Sequence, residues 1–278
     1  MKIGEIVKDS LRYPFSDWNK ILILGIVVLL GSISSITRIY VPVNTTNLFL
    51  TLVLGIIGFI FGFLERGYFF RIIKTSLNGV LVLPEFNSWI EMFKDGIKLF
   101  IVPIIYFIPA ILIILVLAVL SFKSNPSTVI SILYGAIIWS LIGGNTINTF
   151  IVWAGTWGII AILYCILIFP ISLMAIAYMI ENDSKLSEAF KFHKILDKIK
   201  IKGWNRLIIW YVMTGIVFLI LILILIIIFV ILGFLIQDIT GIVPQRLITD
   251  ILISIIGIPF IFGYLYRSVA LFYMSEGK

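Results

Sequence analysis

SNPSTVISILYGAIIWSLIGGNTINTFIVWAGTWGIIAILYCILIFPISLMAIAYMI, residues 124–180, runs for 57 residues without one Asp, Glu, Lys or Arg. A helix needs about 20 apolar residues to cross a hydrocarbon core, so this stretch has room for one crossing, or for two with a turn. The number of crossings here fixes the topology on either side. Two would carry the Lys-rich segment 185–206 to the side of Arg38 and Lys123, opposite the basic N-terminus. One keeps like charge with like. The crossing is therefore assigned to residues 155–180, and the 14 largely apolar residues 129–142 to a segment that is re-entrant or lies on the outer surface. Gly143, Gly144, Asn145, Thr146, Asn148 and Thr149 form the break between them, which at membrane depth has to be shielded by protein or line a cavity. Two crossings with a local exception to the charge rule are the alternative.

Five further uncharged blocks flank this one, at residues 21–37, 48–64, 99–122, 207–236 and 251–266. In chain order, the segments outside the six blocks hold 4, 1, 5, 1, 7, 1 and 2 Lys or Arg residues. That alternation is the positive-inside bias of a multi-pass protein. It predicts six spans in the cell membrane with both termini cytoplasmic, 18 basic residues inside and 3 outside. The composition agrees: mean hydropathy is +1.18, with 61% hydrophobic and 13% charged residues, far from a water-soluble domain. Lys2, Glu5, Lys8, Asp9 and Arg12 interrupt the first 20 residues, so these are read as no cleavable leader and the block at 21–37 as an anchor. Of the sequons, Asn44-Thr45-Thr46 falls outside and Asn182-Asp183-Ser184 inside. The net charge of +7 sits beside apolar spans and among acids, which favours membrane lipids as partners and argues against nucleic acid.

Each outward span follows a segment with helical amphipathicity. Ile3, Ile6, Val7 and Leu11 make the first apolar stripe, which Pro14 stops. Phe86, Trp89, Ile90, Phe93 and Ile97 make the second, and Leu186, Ala189, Phe190, Leu196 and Ile199 the third. Such lengths suit helices lying among headgroups. Two spans begin through Asp17-Trp18-Asn19-Lys20 and Gly203-Trp204-Asn205-Arg206. Two end through Gly67-Tyr68-Phe69-Phe70-Arg71 and Gly263-Tyr264-Leu265-Tyr266-Arg267. Trp18, Lys20, Tyr68, Arg71, Trp89, Trp204, Tyr264 and Arg267 are accordingly read as interface anchors. The fold class expected is all-α: a polytopic membrane helical bundle of about six transmembrane helices in three hairpins with interfacial amphipathic helices. It forms one integral membrane domain, 1–278, with hairpin units 1–80, 81–184 and 185–278. Duplication and the repeated use of the same interface residues both account for that pattern.

Chemistry is sparse. His193 is the one histidine and Cys165 the one cysteine, so neither a multi-thiolate metal site nor an intrachain disulfide is available. Cys165 reads as a packed thiol. The spans hold no pair of acids and no nucleophile with its base, so no catalytic, cofactor or metal residue is assigned and no enzyme is expected. Glu65-Arg66 reads as a boundary pair rather than an intramembrane site. Gly55, Gly58 and Gly62 give the second span a smooth packing face. Pro103, Pro109, Pro170 and Pro259 fall within spans and kink them. Lys191, Lys194, Lys198, Lys200, Lys202 and Arg206, with Phe190, Phe192 and Trp204, read as a headgroup-binding segment worth about 1 kcal/mol per basic residue near an anionic leaflet, and equally as a topology determinant with no further role.

Several of these residues together resemble one family. Tyr13-Pro14, Trp18-Asn19-Lys20, Gly67-Tyr68-x-x-Arg71, Leu83-Pro84-Glu85-Phe86, Trp89, Phe93, Asp95-Gly96-Ile97-Lys98 and Tyr106 with Pro109 are similar to domain-of-unknown-function family 4013. That is a family of multi-pass membrane proteins found mainly in methanogenic archaea. The resemblance covers most of the chain and is clearest over residues 67–109. It implies topology and transfers no catalytic residue. The leading functional expectation is a non-enzymatic protein that organises the membrane or binds another membrane protein. The competing one is a transporter or permease for a lipid or other apolar compound, with the break at residues 143–149 as its mobile element and Asn145, Asn148 or Ser172 lining a cavity.

Overall fold

Asp17 starts the first long helix. Its carboxylate accepts the backbone N–H of Lys20 at 3.1 Å and its carbonyl accepts that of Ile21, satisfying donors that a helix leaves open at its N-terminus. The computed structural model describes residues 1–40, 48–124, 147–241 and 244–275, and within them every regular element is helical. In order these are α1 (Ile3–Arg12), a 3-10 turn (Tyr13–Ser16), α2 (Trp18–Tyr40), α3 (Leu48–Leu77), α4 (Trp89–Ser124), α5 (Ile147–Glu181), a 3-10 turn (Leu186–Phe190), α6 (Phe192–Lys202) and α7 (Trp204–Thr240). The chain closes with α8 (Gln245–Leu252), a π-turn (Ile253–Gly257) and α9 (Ile258–Met274). Among the described residues six helices are long and apolar enough to cross a bilayer: Trp18–Thr37, Leu48–Leu77, Trp89–Val116, Ile159–Glu181, Trp204–Ile239 and Gln245–Met274. The fold is thus an all-α, polytopic helical bundle.

The segment expected to cross at residues 155–180 lies wholly within α5. Residues 129–142, most of the proposed break and the Asn44 sequon lie outside the described residues. Asn148 and Thr149, read as part of the break, belong to the first turn of α5. The second amphipathic segment is corrected. Residues 80–88 are not helical, and α4 runs unbroken from Trp89 into its span. Pro84 lacks an amide hydrogen and Ser88 sits at φ +46°, so a helix has no way to begin earlier. The face of α4 that is buried carries Met92, Gly96 and Leu99, while Ile90 points outward. α1 buries Ile6, Val7 and Ser10, and α6 buries Ile195, Ile199 and Lys202, with Leu196 exposed.

Two compact units are present, Met1–Ile101 with Leu173–Lys278, and Val102–Ser172. In the first, α2 and α9 pack on α3, and α1 lies against α9. Glycine lets these backbones meet. A Cβ added at Gly96 would sit 1.9 Å from the carbonyl oxygen of Phe63, and one at Gly67 would sit 1.7 Å from that of Met92, so α3 and α4 cross in direct backbone contact. Of the glycines predicted to pack, Gly58 lies against the Gly31 carbonyl of α2, and the backbone of Gly62 lies against Gly31 itself. A Cβ added at Gly55 would meet no described atom within 4 Å, so Gly55, read as a packing glycine, makes no close approach among the described residues. In the second unit, the Tyr164 hydroxyl donates to the Tyr106 carbonyl at 2.9 Å and ties α5 to α4.

Overfilling a close crossing typically costs about 1–3 kcal/mol. Gly96→Ala and Gly67→Ala should therefore lower the thermal midpoint of the detergent-purified protein, and Gly55→Ala should leave it unchanged. Scanning calorimetry or tryptophan fluorescence reads the difference, and equal effects at Gly96 and Gly55 would contradict the crossing.

Candidate functional site

At one end of the first unit, residues 79–88 form a strap between α3 and α4 that has no hydrogen-bonding pattern of its own. It begins where α3 ends in a Schellman turn. Gly79, at φ +77°, donates to the Ser76 carbonyl, and Val80 donates to that of Thr75. Beyond that point the strap's carbonyls need donors from elsewhere, because an unpaired backbone carbonyl away from water is costly.

Side chains from four elements supply them. Arg267 of α9 donates from Nη1 to the Val80 carbonyl at 2.7 Å. Tyr13, in the turn after α1, donates its hydroxyl to Val82 at 3.1 Å. Lys20 of α2 reaches Leu83 at 2.9 Å, and Tyr68 of α3 reaches Pro84 at 2.9 Å. Arg71, one turn further along α3, uses its planar fork on Asn87 at 2.6 Å and Ser88 at 3.0 Å. Stacking of Phe86 on Tyr68 at 4.2 Å between centroids and burial of Leu83 seat the strap's apolar side. Val80, Leu81 and Val82 remain exposed.

Arg267 has a second attachment. Its Nε donates to Asp9 of α1 at 2.9 Å, and its guanidinium lies 4.8 Å from the centroid of the Tyr13 ring. Arg267 is 1% exposed, so a buried cation joins α1, α9 and the strap. Burial raises the Tyr13 phenol above its ordinary value, which keeps it a donor to Val82. At the edge of the strap, Lys20 also pairs with Glu85 at 2.7 Å and Asp17 at 3.4 Å. The Asp17 carboxylate is held below its usual range, chiefly by the Lys20 amide it caps.

The anchor residues thus separate into two groups. Trp18, Trp89 and Trp204 present exposed rings. Lys20, Tyr68, Arg71 and Arg267 converge on the strap, and Tyr264 is buried with its hydroxyl 3.4 Å from the Thr214 carbonyl of α7. Tyr68, Tyr264 and Arg267, read as interface anchors, are buried interior groups in the structure. Asp9 and Tyr13 had not been singled out as site residues. Asp9 lies 258 residues from Arg267 along the chain, and no local periodicity reveals such a pairing.

The lysine-rich segment lies at the same end. Lys194 and Lys200 are exposed, Lys191 pairs with Glu188, and Lys198 reaches Glu181 at 3.1 Å. Lys202 is corrected: it turns inward, donates to the Ser275 carbonyl at 2.6 Å and lies 5.6 Å from the Tyr273 ring centroid. Burial, then the charges of Lys198 and Arg206, pull its ammonium below the ordinary lysine value. Arg206 donates to the Met1 carbonyl at 2.7 Å. These bonds gather α1, the strap, α6 and the end of α9 at one face. Among the described residues no three His, Cys, Asp or Glu side chains are grouped to hold a metal. His193 is exposed, Cys165 is half-buried, and the Ser172 hydroxyl is engaged by its own helix through Phe169.

A family model described as "Protein of unknown function (DUF4013)" matches residues 48–230. The match includes the strap with Tyr68 and Arg71, and stops short of Arg267. No curated protein and no solved structure matches the chain.

Removing one member of a buried ion pair typically costs about 3–5 kcal/mol, and somewhat less here because Asp9 is partly exposed. Arg267→Met should therefore destabilise the protein by about 2–3 kcal/mol, and should also speed hydrogen exchange and proteolysis within residues 79–88. Arg66→Met removes an exposed guanidinium that donates to Gly62 of its own helix and lies 5.3 Å from the Phe100 ring centroid of α4, and should leave exchange and proteolysis of the strap unchanged. Unaltered strap protection in Arg267→Met would contradict the role given to the guanidinium.

Proposed function

The chain belongs to this family of unknown function, DUF4013, and from that premise we propose a non-enzymatic membrane protein that is held at one leaflet face and binds another membrane protein along α7. One observation carries the reading. α7, 37 residues long and the most apolar of the spans, buries Leu207, Trp210, Thr214, Phe229 and Gly233 and leaves most of its remaining apolar side chains exposed. Leu219, Leu223, Ile227, Ile231 and Phe234 stand out from it with no covering element among the described residues. A long helix that contributes little to its own bundle is available to a neighbouring span, where association depends on packing and not on apolar burial alone.

The polar groups at the strap face support the non-enzymatic part. Arg267, Arg71, Lys20, Tyr13 and Tyr68 are engaged in holding backbone carbonyls, so their donors do not converge on a volume where a substrate could react. On this reading the strap face is cytoplasmic in the cell membrane. The three hairpin units remain parts of a single membrane domain, and the origin is archaeal. The exposed Lys191, Lys194 and Lys200 add attraction to an anionic leaflet.

A photoreactive amino acid at Leu223 or Ile227 in native membranes should give a discrete protein adduct, while one at the buried Trp210 should not. Adducts with lipid alone would contradict partner binding. Vesicles reconstituted with the protein should flip fluorescent phospholipids no faster than empty vesicles. Several-fold acceleration would instead establish carriage of a lipid-like solute.

A further inference from the structure

Where α6 turns into α7, Gly203 at φ +91° reverses the chain and opens a cleft of about 1030 Å³ against the start of α1. Among the described residues its walls carry four cations, Lys2, Lys200, Lys202 and Arg206, against one acid, Glu5. Glu5 already accepts the Lys2 backbone N–H at 2.8 Å, and Lys202 is turned toward Ser275. Lys2 and Lys200 are exposed at the mouth, and Arg206 is positioned from behind by its bond to the Met1 carbonyl. The excess positive charge calls for an anion.

The remaining walls decide which kind. Trp204 and Ile209 line the same cleft and are 44% and 53% exposed. From Ile209 an exposed apolar stripe continues down α7 through Val212, Ile216 and Ile220, in steps of three and four residues that keep one helix face and stop before Leu223. A soluble phosphate would use the cations and leave this stripe unused. A phospholipid would use both, with its phosphate among the cations, its glycerol region beside the indole and its chains along the stripe.

We infer that the cleft between the start of α1 and the α6–α7 corner binds one anionic phospholipid, its headgroup held by Lys2, Lys200 and Arg206 and its acyl chains lying along α7 from Trp204 and Ile209. This rests only on the part of the proposed function that sets the strap face at headgroup level, and is independent of any protein partner. It goes beyond general attraction of the lysine-rich segment to the leaflet, because it specifies one molecule and a stoichiometry.

The test uses the full chain, purified in mild detergent and delipidated, with native mass spectrometry reading bound phosphatidylglycerol or phosphatidylcholine. The wild type should bind one phosphatidylglycerol at least about tenfold more tightly than phosphatidylcholine, and Lys2→Gln with Lys200→Gln and Arg206→Gln should abolish that preference. Lys185→Gln with Lys191→Gln and Lys194→Gln removes equal charge away from the cleft and should keep it. Trp204→Ala should weaken both lipids. Inorganic phosphate at millimolar concentration should displace neither. Equal loss in the two triple variants would reduce the effect to surface potential, and displacement by inorganic phosphate would make it a free-anion site. Either result, or a wild type without preference, overturns the inference. The α7 cross-link is read separately, so failure here leaves partner binding standing and failure there leaves the lipid site standing.

Discussion

A buried guanidinium organises one end of this molecule. Arg267 lies seven residues from the end of α9, on the candidate span that closes the chain, and its charge is tolerable there only because Asp9 and the Val80 carbonyl meet it. Neither partner is local. Satisfying the cation therefore draws the first helix, the first strap and the last helix together, and the other donors to the strap complete what Arg267 begins. Tyr13, Lys20, Tyr68 and Arg71 each take a different strap carbonyl, so a segment too irregular to bond itself is held as firmly as a helix end. Gly-Tyr-x-x-Arg occurs at the ends of both α3 and α9, and both arginines act on the same strap, Arg71 at its far end and Arg267 at its near one.

The spans were legible because hydrophobic length and charge placement are local properties of sequence. Within the uncharged block, α5 carries the crossing read at residues 155–180, while the alternative of a second crossing falls on residues outside the described ones. Side-chain direction was not legible to the same degree. Tyr and Arg at the end of a span satisfy the statistics of an interface anchor whether they point to lipid or inward, and Tyr68, Tyr264 and Arg267 point inward. The distinguishing signal was available only in part: Leu83-Pro84-Glu85-Phe86 announces an irregular segment that needs donors, but not which side chains provide them. The second amphipathic stripe misled for a related reason. Its periodicity is real, yet Pro84 and Ser88 delay the helix until Trp89, and the close approach of Gly96 to α3 selects a different face.

Lys202 and Gly55 show the same limit at smaller scale. A lysine in a basic run is indistinguishable by spacing from its neighbours, though it alone is captured by the Ser275 carbonyl. Gly55 extends a small-residue stripe whose useful part is Gly58 and Gly62, because the crossing with Gly31 of α2 falls there. α7 behaves oppositely: its uniform apolarity marks no face in the sequence, yet Leu207, Trp210, Thr214, Phe229 and Gly233 turn inward in the structure, and the exposed remainder is the feature on which both a protein neighbour and a lipid chain would act.

A face assembled by the Arg267 pairing requires α1, the strap, α6 and the end of α9 to share one side of the bilayer, with the α7–α8 turn on the other. Single cysteines placed at Glu5, Leu81, His193 and Met274, and at Gln245 for the opposite side, in a Cys165→Ser background, report this directly through a membrane-impermeant maleimide applied to sealed vesicles of known orientation. The first four should label together from one side and the fifth only from the other. Labelling that divides the four between the two sides would contradict the shared face and the buried Arg267 pairing that assembles it.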